Sequence, residues 1–594
     1  MSRTEKFLFI TALLFAAFKA GVFIWAAGFG LDATDESFLL NGYRYWKQYN
    51  TFDYFRVLNL FFNTAGISVA QFRIARTGIE IFSALVLALS FYRWYNFYAT
   101  AEKKTDAPLW LIIFCVATAI CQSVIFRMLS YNEVVCLLMS VSWASLLLAE
   151  TQTQNWVSVA AYTFTGLLTA LMFFVKPPAA VIELALLVWY TLSRALQQKK
   201  FAVNNAAGFL TGVLIFVAVY PGVGHSFSAW FQNFLSLVLV YRNLEYSPGL
   251  LVYLWFEEFF YYGMFLSVPT AIVWALERGI GRRWFILFPL HVLLAAASAW
   301  YAEYAMDAHS YHRFLHYTIL IFGVLVYWLF KLRFTYTNLC WSSVKNFFSQ
   351  HSSRTLLILL LLHFVVVGGS TVSLSEMFYI FITPALLFLV VPAYAEKKVE
   401  QGIQYQTLLG VLLLLMVFNF CYFNIGHAYG LSGNLIAQTN PVMLAEKITV
   451  DTKTEKMFEE LNSALAKSGF KKGAPVISLD YLCGIAHLVG GYSPACPCYV
   501  PGTENKMNFN CHYLQSIPPE TLPDTLAVLY TNPQSRKLMA CVPSRKGAYQ
   551  FTFTDSVFNA YSLNAETKEM MGAESDFIKV GFLVMQSGQS FKTE

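Results

Sequence analysis

The stretch GLDATDESFLLNGYRYW, residues 30–46, follows the first apolar segment and carries the acids Asp32, Asp35 and Glu36. Carboxylates grouped at the rim of a bilayer can serve as general acids or bases for a reaction at the membrane surface. Helix capping is the other interpretation. Asp32 or Thr34 would then cap a helix whose positive N-terminal dipole favours the next two acids, at about 0.3–1 kcal/mol each.

Basic and histidine side chains in the connections between apolar segments are candidates for binding an anion. They are Arg44, Lys47, Arg127, Lys176, Arg242, His309, His312 and Arg313. For the Lys and Arg side chains the competing interpretation is an interfacial residue whose charged tip reaches the lipid headgroups. As a set, they predict a positively charged rim around a cavity.

The histidines fall in DAHSYHRFLH, residues 307–316, where His309, His312 and His316 share one face if the segment is helical. With Asp307 they would form a site for a divalent cation. The spacing is not a specific zinc signature, and the same side chains would hydrogen-bond a phosphate or an acceptor. The metal is therefore left open.

Cysteines cluster in the polar C-terminal part of the chain. They are Cys483, Cys496, Cys498, Cys511 and Cys541. An external, oxidising compartment favours disulfides, although a metal site made by the first four is the alternative. The connectivity is not deducible from the sequence, and this odd number of cysteines leaves one without a partner inside the set.

The composition places these residues in a membrane protein. Of 594 residues, 57% are hydrophobic and 17% aromatic, but only 13% are charged, against about a quarter charged in soluble domains. The net charge of +6 is spread along the chain without a basic block, which makes a nucleic-acid partner improbable on charge grounds. The first apolar segment lacks a small-residue cleavage site, so we interpret it as a retained signal-anchor.

The sequence contains 13 apolar runs long enough to cross the hydrocarbon core. They lie near 7–27, 74–92, 108–126, 133–149, 156–175, 178–193, 206–221, 250–276, 285–301, 314–330, 355–370, 376–394 and 406–424. With a cytoplasmic N-terminus, most inner connections carry several Lys and Arg residues, and the outer ones after the first carry at most one. This asymmetry predicts that the first loop, residues 28–73, and the C-terminal region are external.

We therefore predict a multi-pass α-helical domain over 1–424 and a small external α/β domain over 425–594. The segment 453–469 shows helical periodicity, and APVISL, TLAVLY, AYQFTFT and FIKVGFLVM are typical of strands. Two amphipathic stretches in the first loop, TDESFLLNGYRYWKQ and FDYFRVLNLFF, predict helices lying on the membrane surface.

Ionisable residues inside the predicted spans cost about 2.5–3.5 kcal/mol each and need a partner, a cavity or a role. Lys19, Glu80, Glu133, Glu183 and the pair at 257–258 lie in or at the ends of spans, the acids towards the outer side. A polar cavity open to the exterior explains that bias. A transporter would need polar groups at the midplane, where the sequence offers only His291, His363 and Asn419.

An Asp-Glu pair in a long first external loop resembles the GT-C type of membrane glycosyltransferases, which include lipid A aminoarabinose transferases and protein O-mannosyltransferases. The stretches DESFLLN, FRIARTGIEIFSAL, RMLSYNE, FFVKPPAA and GIAHLVGGYSP are similar to bacterial membrane proteins of this type. The resemblance covers most of the membrane part as layout and short motifs. It implies a GT-C-like fold in the plasma membrane, the inner membrane in bacteria.

The resemblance also implies transfer of a sugar from a polyprenyl-phosphate donor to lipopolysaccharide, another glycan or lipid, or a protein. Asp35 would be the base and Glu36 would position a substrate, with these roles exchangeable, and Asp32 would be a base or a cap. Arg127, Lys176, Arg242 and Arg313 would stabilise the departing phosphate. Some members of the type use a metal beside the first-loop acid. A carrier of lipid-linked sugars and an O-antigen polymerase or ligase are the alternative functions.

Overall fold

The computed structural model describes the chain in segments. These are 3–32, 35–45, 66–98, 129–152, 154–198, 203–220, 248–280, 283–305, 402–426, 434–467, 469–494, 504–544, 549–563 and 576–585, most of 320–328 and 355–367, and positions 55, 58, 59, 228, 231 and 431. Within them, 6 helices are long and apolar enough to cross a membrane. By helix length and composition, the chain is therefore a helical membrane protein. The larger number of spans predicted from the sequence includes residues outside these segments and stays a prediction.

The helices before the C-terminal region follow the predicted apolar runs, except α2, which follows the first amphipathic stretch. They are α1 (Arg3–Ala26), α2 (Asp35–Arg44), α3 (Val69–Tyr98), α4 (Tyr131–Glu150), α5 (Asn155–Val175), α6 (Pro177–Gln198), α7 (Val203–Val219), α8 (Pro248–Ile280), α9 (Trp284–Ala305), α10 (His363–Val367) and α11 (Gly402–Phe420). A π-helical turn, Cys421–Gly426, follows α11 directly. The runs predicted at 108–126 and 376–394 lie outside the described residues.

Reciprocal caps explain where two of the bundle helices begin. The Ser68 amide donates to Oε1 of Gln71 at 2.8 Å and the Gln71 amide donates to Oγ of Ser68 at 3.3 Å, so α3 starts five residues before the predicted span. Ser130 and Glu133 form the same arrangement ahead of α4. Each of these reciprocal pairs, which is called a capping box, satisfies amide groups that a helix start leaves without partners. The predicted first loop thus ends at residue 68 rather than 73.

Small residues bring α5 and α7 into direct backbone contact. A Cβ atom added at Gly166 would lie 2.0 Å from the carbonyl oxygen of Phe209, and one at Gly212 would lie 1.8 Å from that of Thr163. Only glycine fits at such distances, and close approach of this kind is a common way for helices to associate in lipid.

The C-terminal part, residues 434–585, is called the sheet region below. Its elements are β1 (Asn440–Met443), β2 (Lys447–Val450), α12 (Thr452–Lys467), β3 (Val476–Ser478), α13 (Cys483–Leu488), α14 (Glu504–Gln515), β4 (Thr525–Tyr530), β5 (Tyr549–Phe558) and β6 (Phe577–Met585). β1 and β2 pair antiparallel, and the larger sheet has the order β3-β4-β6-β5 with only β3 and β4 parallel among these strands. The predicted helix at 453–469 and the four predicted strands are confirmed, whereas β1, β2, α13 and α14 were not predicted.

The sheet region contacts the segment that follows α1. The Thr449 amide donates to the Gly28 carbonyl at 2.8 Å, and the Gly30 amide donates to the Thr449 carbonyl at 2.7 Å, so residues 28–30 pair with β2. Residues 39–43 of α2 are all buried. The helix predicted for the first amphipathic stretch is therefore confirmed as α2, and the sheet region packs against it. Its position on a membrane surface stays a prediction. The second amphipathic stretch lies almost wholly outside the described residues.

Candidate functional site

The first-loop acids Asp32 and Glu36 cap the start of α2 reciprocally. The Asp32 amide donates to Oε2 of Glu36 at 2.9 Å, and the Glu36 amide donates to Oδ2 of Asp32 at 3.3 Å. Both side chains are fully buried. The capping interpretation therefore describes what these two carboxylates do in this structure. The backbone of Asp35 begins α2 between them, and its side chain lies outside the described atoms.

Arg73 of α3 binds Glu36 and the end of α1 together. Its Nε lies 2.7 Å from Oε1 of Glu36, while its Nη1 donates to the carbonyl oxygens of Ala27 and Phe29 at 3.0 and 2.7 Å. Nη2 donates to the carbonyl of Gly30 at 3.2 Å. A cation here satisfies carbonyl groups at the negative end of α1 as well as a buried carboxylate. One arginine thus links α1, α2 and α3.

A second buried arginine, Arg76, lies one turn further along α3. Its Nη2 is 3.1 Å from Oε1 of Glu80 and 2.9 Å from Oε1 of Glu133. Glu133 also accepts hydrogen bonds from Ser130 through its capping box. Arg76 therefore joins α3 to the start of α4 under the first loop.

Tyr43 links α2 to the starts of α3 and α4. Its hydroxyl donates to the carbonyl oxygen of Leu129, and its ring stacks on Phe72 with centroids 4.6 Å apart. The tyrosine is fully buried. Helix α2 is thereby fixed over the adjoining starts of α3 and α4.

Lys176 occupies the single-residue connection between α5 and α6. Its Nζ donates to Oδ1 of Asn132 at 2.8 Å and to the carbonyl oxygen of Val366 at 2.6 Å, and it lies 5.2 Å from the ring centre of Tyr131. Burial lowers the pKa of the Lys176 amine from 10.5 to about 7, although nearby Glu133 opposes this shift. This amine can change its charge near neutral pH.

These residues define the capped end of the bundle. It is the end where α1 and α5 finish and α3, α4 and α6 begin, and it is covered by residues 27–32 and 35–45. It holds the buried ionisable groups Asp32, Glu36, Arg73, Arg76, Glu80, Glu133 and Lys176. Burying charged groups is costly unless they are paired. The ion pairs of Arg73 and Arg76 meet that requirement for Glu36 and Glu133 and hold α2 and the start of α4 in place.

The sheet region supplies another carboxylate to the capped end. Glu446, in the turn between β1 and β2, forms an ion pair with Arg44 at the end of α2 and accepts the Val69 amide of α3 at 2.9 Å. His487 Nε2 lies 3.3 Å from its Oε1. Burial alone would raise the pKa of Glu446, but these hydrogen bonds and the charge of Arg44 lower it from 4.5 to about 2.

Further hydrogen bonds join α2 to the residues around α13. The Asn41 side chain donates to the Ser493 carbonyl at 2.9 Å and accepts from the Ser493 amide at 3.2 Å. The Tyr45 hydroxyl is 3.5 Å from Nδ1 of His487 and 3.3 Å from the Gly491 carbonyl oxygen. The sheet region is therefore attached to the second half of α2 and to the residue that follows it.

Of the predicted anion-binding residues, the structure places Lys176 and Arg44 at the capped end. Lys176 faces the start of α4 and the end of α10, whereas Arg44 is engaged by Glu446. The other predicted members of this set lie outside the described residues: Lys47, Arg127, Arg242, His309, His312 and Arg313.

Cys511 and Cys541 form a disulfide with Cα atoms 5.3 Å apart, which joins α14 to the segment after β4. Cys483 is disulfide-bonded as well, and Cys496 and Cys498 lie outside the described residues. Within the described part of the chain, no group of three or more His, Cys, Asp and Glu side chains is arranged to hold a metal ion. The predicted histidine site lies outside that part.

Sequence reasoning missed the cations at the centre of the cluster. Arg73, Arg76 and Glu80 follow i, i+3, i+7 spacing in FRIARTGIE, which puts them on one helical face. That spacing was the available signal, but a span starting at 74 divides the set. Glu446 and His487 had no local signal, because their partners are distant in sequence.

Comparison with protein-family models, curated proteins and solved structures found no match for this chain.

Proposed function

We propose that the chain is a membrane glycosyltransferase that moves a sugar from a polyprenyl-phosphate donor to an acceptor outside the cytoplasm. The acceptor is a glycan such as lipopolysaccharide, a lipid or a protein. The proposal includes an integral plasma-membrane location, a cytoplasmic N-terminus and an external sheet region. The observation that carries it is the capped end, where a first-loop helix that begins with Asp35 lies beside buried cations.

The contacts indicate different roles for the three first-loop acids. Glu36 has both carboxylate oxygens engaged by Arg73, so its part is to hold α2 rather than to accept a proton. Asp32 caps the same helix. Asp35 lies three residues after Asp32, at the first position of α2. We assign its carboxylate as the base that takes the proton of the acceptor hydroxyl.

The cation assigned to the donor is Lys176. Its Nζ donates to the oxygens of Asn132 and Val366, while Arg76 pairs with the neighbouring Glu133 at the same start of α4. A phosphate that gains charge as the sugar leaves would replace those acceptors and be stabilised by the ammonium group. Arg44 has a different part, because Glu446 holds it at the far end of α2.

A carrier of lipid-linked sugars is the second candidate. The observation in its favour is Glu183 of α6, a fully buried carboxylate whose Oε2 accepts from Trp143 at 3.0 Å. Its Oε1 has no hydrogen-bond partner among the residues that the structure describes. A polar group inside the bundle suits a translocation path. His291 gives no further support, since Thr270 and Trp328 engage both of its ring nitrogens.

The test uses the full chain in proteoliposomes with a panel of polyprenyl-phosphate sugars and candidate acceptors. We expect Asp35→Asn to lower the transfer rate by about 10²–10⁴-fold, the usual contribution of a general base. Glu459→Gln, a change at an exposed position of α12, is the matched control and should leave the rate unchanged.

Undiminished transfer by Asp35→Asn would reject the assignment of the base. Translocation of the lipid-linked sugar with no acceptor-dependent product would favour the carrier instead. A larger loss in Asp32→Asn than in Asp35→Asn, with normal folding, would move the base to Asp32.

A further inference from the structure

Glu446 connects elements that the sequence places far apart. It belongs to the β1–β2 turn of the sheet region, yet its carboxylate contacts Arg44 of the first loop, the amide of Val69 and His487 of α13. Its side chain is 12% exposed, so water does little to weaken these contacts.

The positions of these contacts matter more than their number. Arg44 is in the last turn of α2 and Val69 is the first residue of α3, so one carboxylate joins the end of one helix to the beginning of the next. A negative charge at the start of α3 and a positive charge at the end of α2 both complement the helix dipoles. Each contact is therefore favourable by itself.

The two ion pairs of α2 lie at its opposite ends. Glu36, in the first turn, pairs with Arg73 of α3, and Arg44, in the last turn, pairs with Glu446. Asn41 and Tyr43 also hold the second half of this ten-residue helix. The Glu446 carboxylate ties the last residue of α2 to the sheet region and to the start of α3 together.

We infer that Glu446 is a positioning residue: through Arg44 and the start of α3 it sets the orientation of α2 and so of Asp35 at its beginning. The structural part of this inference concerns α2 alone, and its consequence for catalysis rests on the proposed function. The sheet region is then a component of the site rather than a separate appendage.

His487 and Tyr45 extend the same contact. Nε2 of His487 lies 3.3 Å from Oε1 of Glu446, and its Nδ1 lies 3.5 Å from the Tyr45 hydroxyl. The Tyr45 hydroxyl is also 3.3 Å from the Gly491 carbonyl oxygen, so α13 and the residues that follow it are joined to the end of α2.

The first measurement is hydrogen exchange of the full-length protein in nanodiscs, which requires no substrate. We expect Glu446→Gln to speed exchange of the amides of residues 36–45 on the order of tenfold while α12 keeps its protection. Glu459→Gln is the control of equal charge change. Arg44→Gln should give the same pattern, and the double variant should add little to either single change because both remove one ion pair.

The second measurement is transfer by the same variants. A positioning role predicts that Glu446→Gln lowers kcat on the order of tenfold and leaves KM for the lipid donor unchanged. If the variant merely folded less well, the number of active molecules would fall while kcat per active molecule stayed the same. Counting the active molecules by titration distinguishes these two cases.

Unchanged exchange at 36–45 in Glu446→Gln would overturn the inference, whatever the activity. Faster exchange there, combined with no transfer by the unmodified chain from any tested donor, would keep the positioning role and reject the proposed function.

Discussion

The two ends of the same helices hold their buried charges in different ways. At the opposite end of the bundle, Glu150 of α4 accepts from Trp94 Nε1 at 2.6 Å through Oε2, and its Oε1 lies 3.4 Å from Nε of Arg194. At the capped end, Glu80 and Glu133 share Arg76, and Asp32 and Glu36 lie side by side next to Arg73.

The difference indicates that the end around Glu150 has a structural role, whereas the capped end is a candidate functional site. Glu150 has a donor on each carboxylate oxygen, and these contacts close α3, α4 and α6 against each other. Carboxylates that share a cation need additional stabilisation, which here comes from backbone amides at the helix starts. Proteins retain such costly arrangements mainly where function requires them.

The largest expected effect is at Arg73. Arg73→Met leaves the buried carboxylate of Glu36 and the carbonyl groups at the end of α1 without their donor, so we expect a loss of about 3–5 kcal/mol of unfolding free energy. Denaturant unfolding in detergent measures it. A loss below about 1 kcal/mol would contradict the account of the capped end.

The control for Arg73→Met is the double variant that combines Arg73→Met with Glu36→Gln. Because the double variant buries no unpaired charge, we expect it to be more stable than the sum of the two single losses predicts, by about 0.5–3 kcal/mol. Simple additivity would show that the two side chains do not interact.

An intermediate effect is expected at the opposite end. Trp94→Phe removes one donor to Glu150 while Arg194 remains, so we expect a loss of about 1.5–3 kcal/mol, the usual value for a hydrogen bond to a charged group. The same unfolding assay measures it, and transfer activity per folded molecule should not change. A selective loss of activity would end the distinction between the two ends.

The smallest effect is the pH dependence of phosphate binding at Lys176. Since its pKa is about 7, the amine is charged below that pH and neutral above it. We therefore expect affinity for polyprenyl phosphate to fall as the pH rises through 7, by no more than about tenfold per pH unit. Titration calorimetry across this range would show it.

The matched variant for that titration is Lys176→Gln, which keeps a donor but loses the charge. Its affinity should be lower at acid pH and nearly independent of pH around 7. An unmodified protein with the same flat profile would show that Lys176 does not bind the phosphate.

Hydropathy and periodicity predicted the elements with local signals. The apolar runs at 133–149 and 156–175 became α4 and α5 with shifts of two residues or fewer at each end, and TLAVLY became β4 without any shift. The short strands β1 and β2 were missed, because four residues give too little periodicity to recognise.

The sequence by itself determined that this chain enters a membrane, since long apolar helices satisfy their own backbone and need lipid around them. It also placed acids directly after the first of those helices. Only the tertiary structure decided what the acids contact. Glu36 meets Arg73 across 37 positions and Arg44 meets Glu446 across 402, and a pairing between side chains that distant is set by how the helices pack, which no local pattern records.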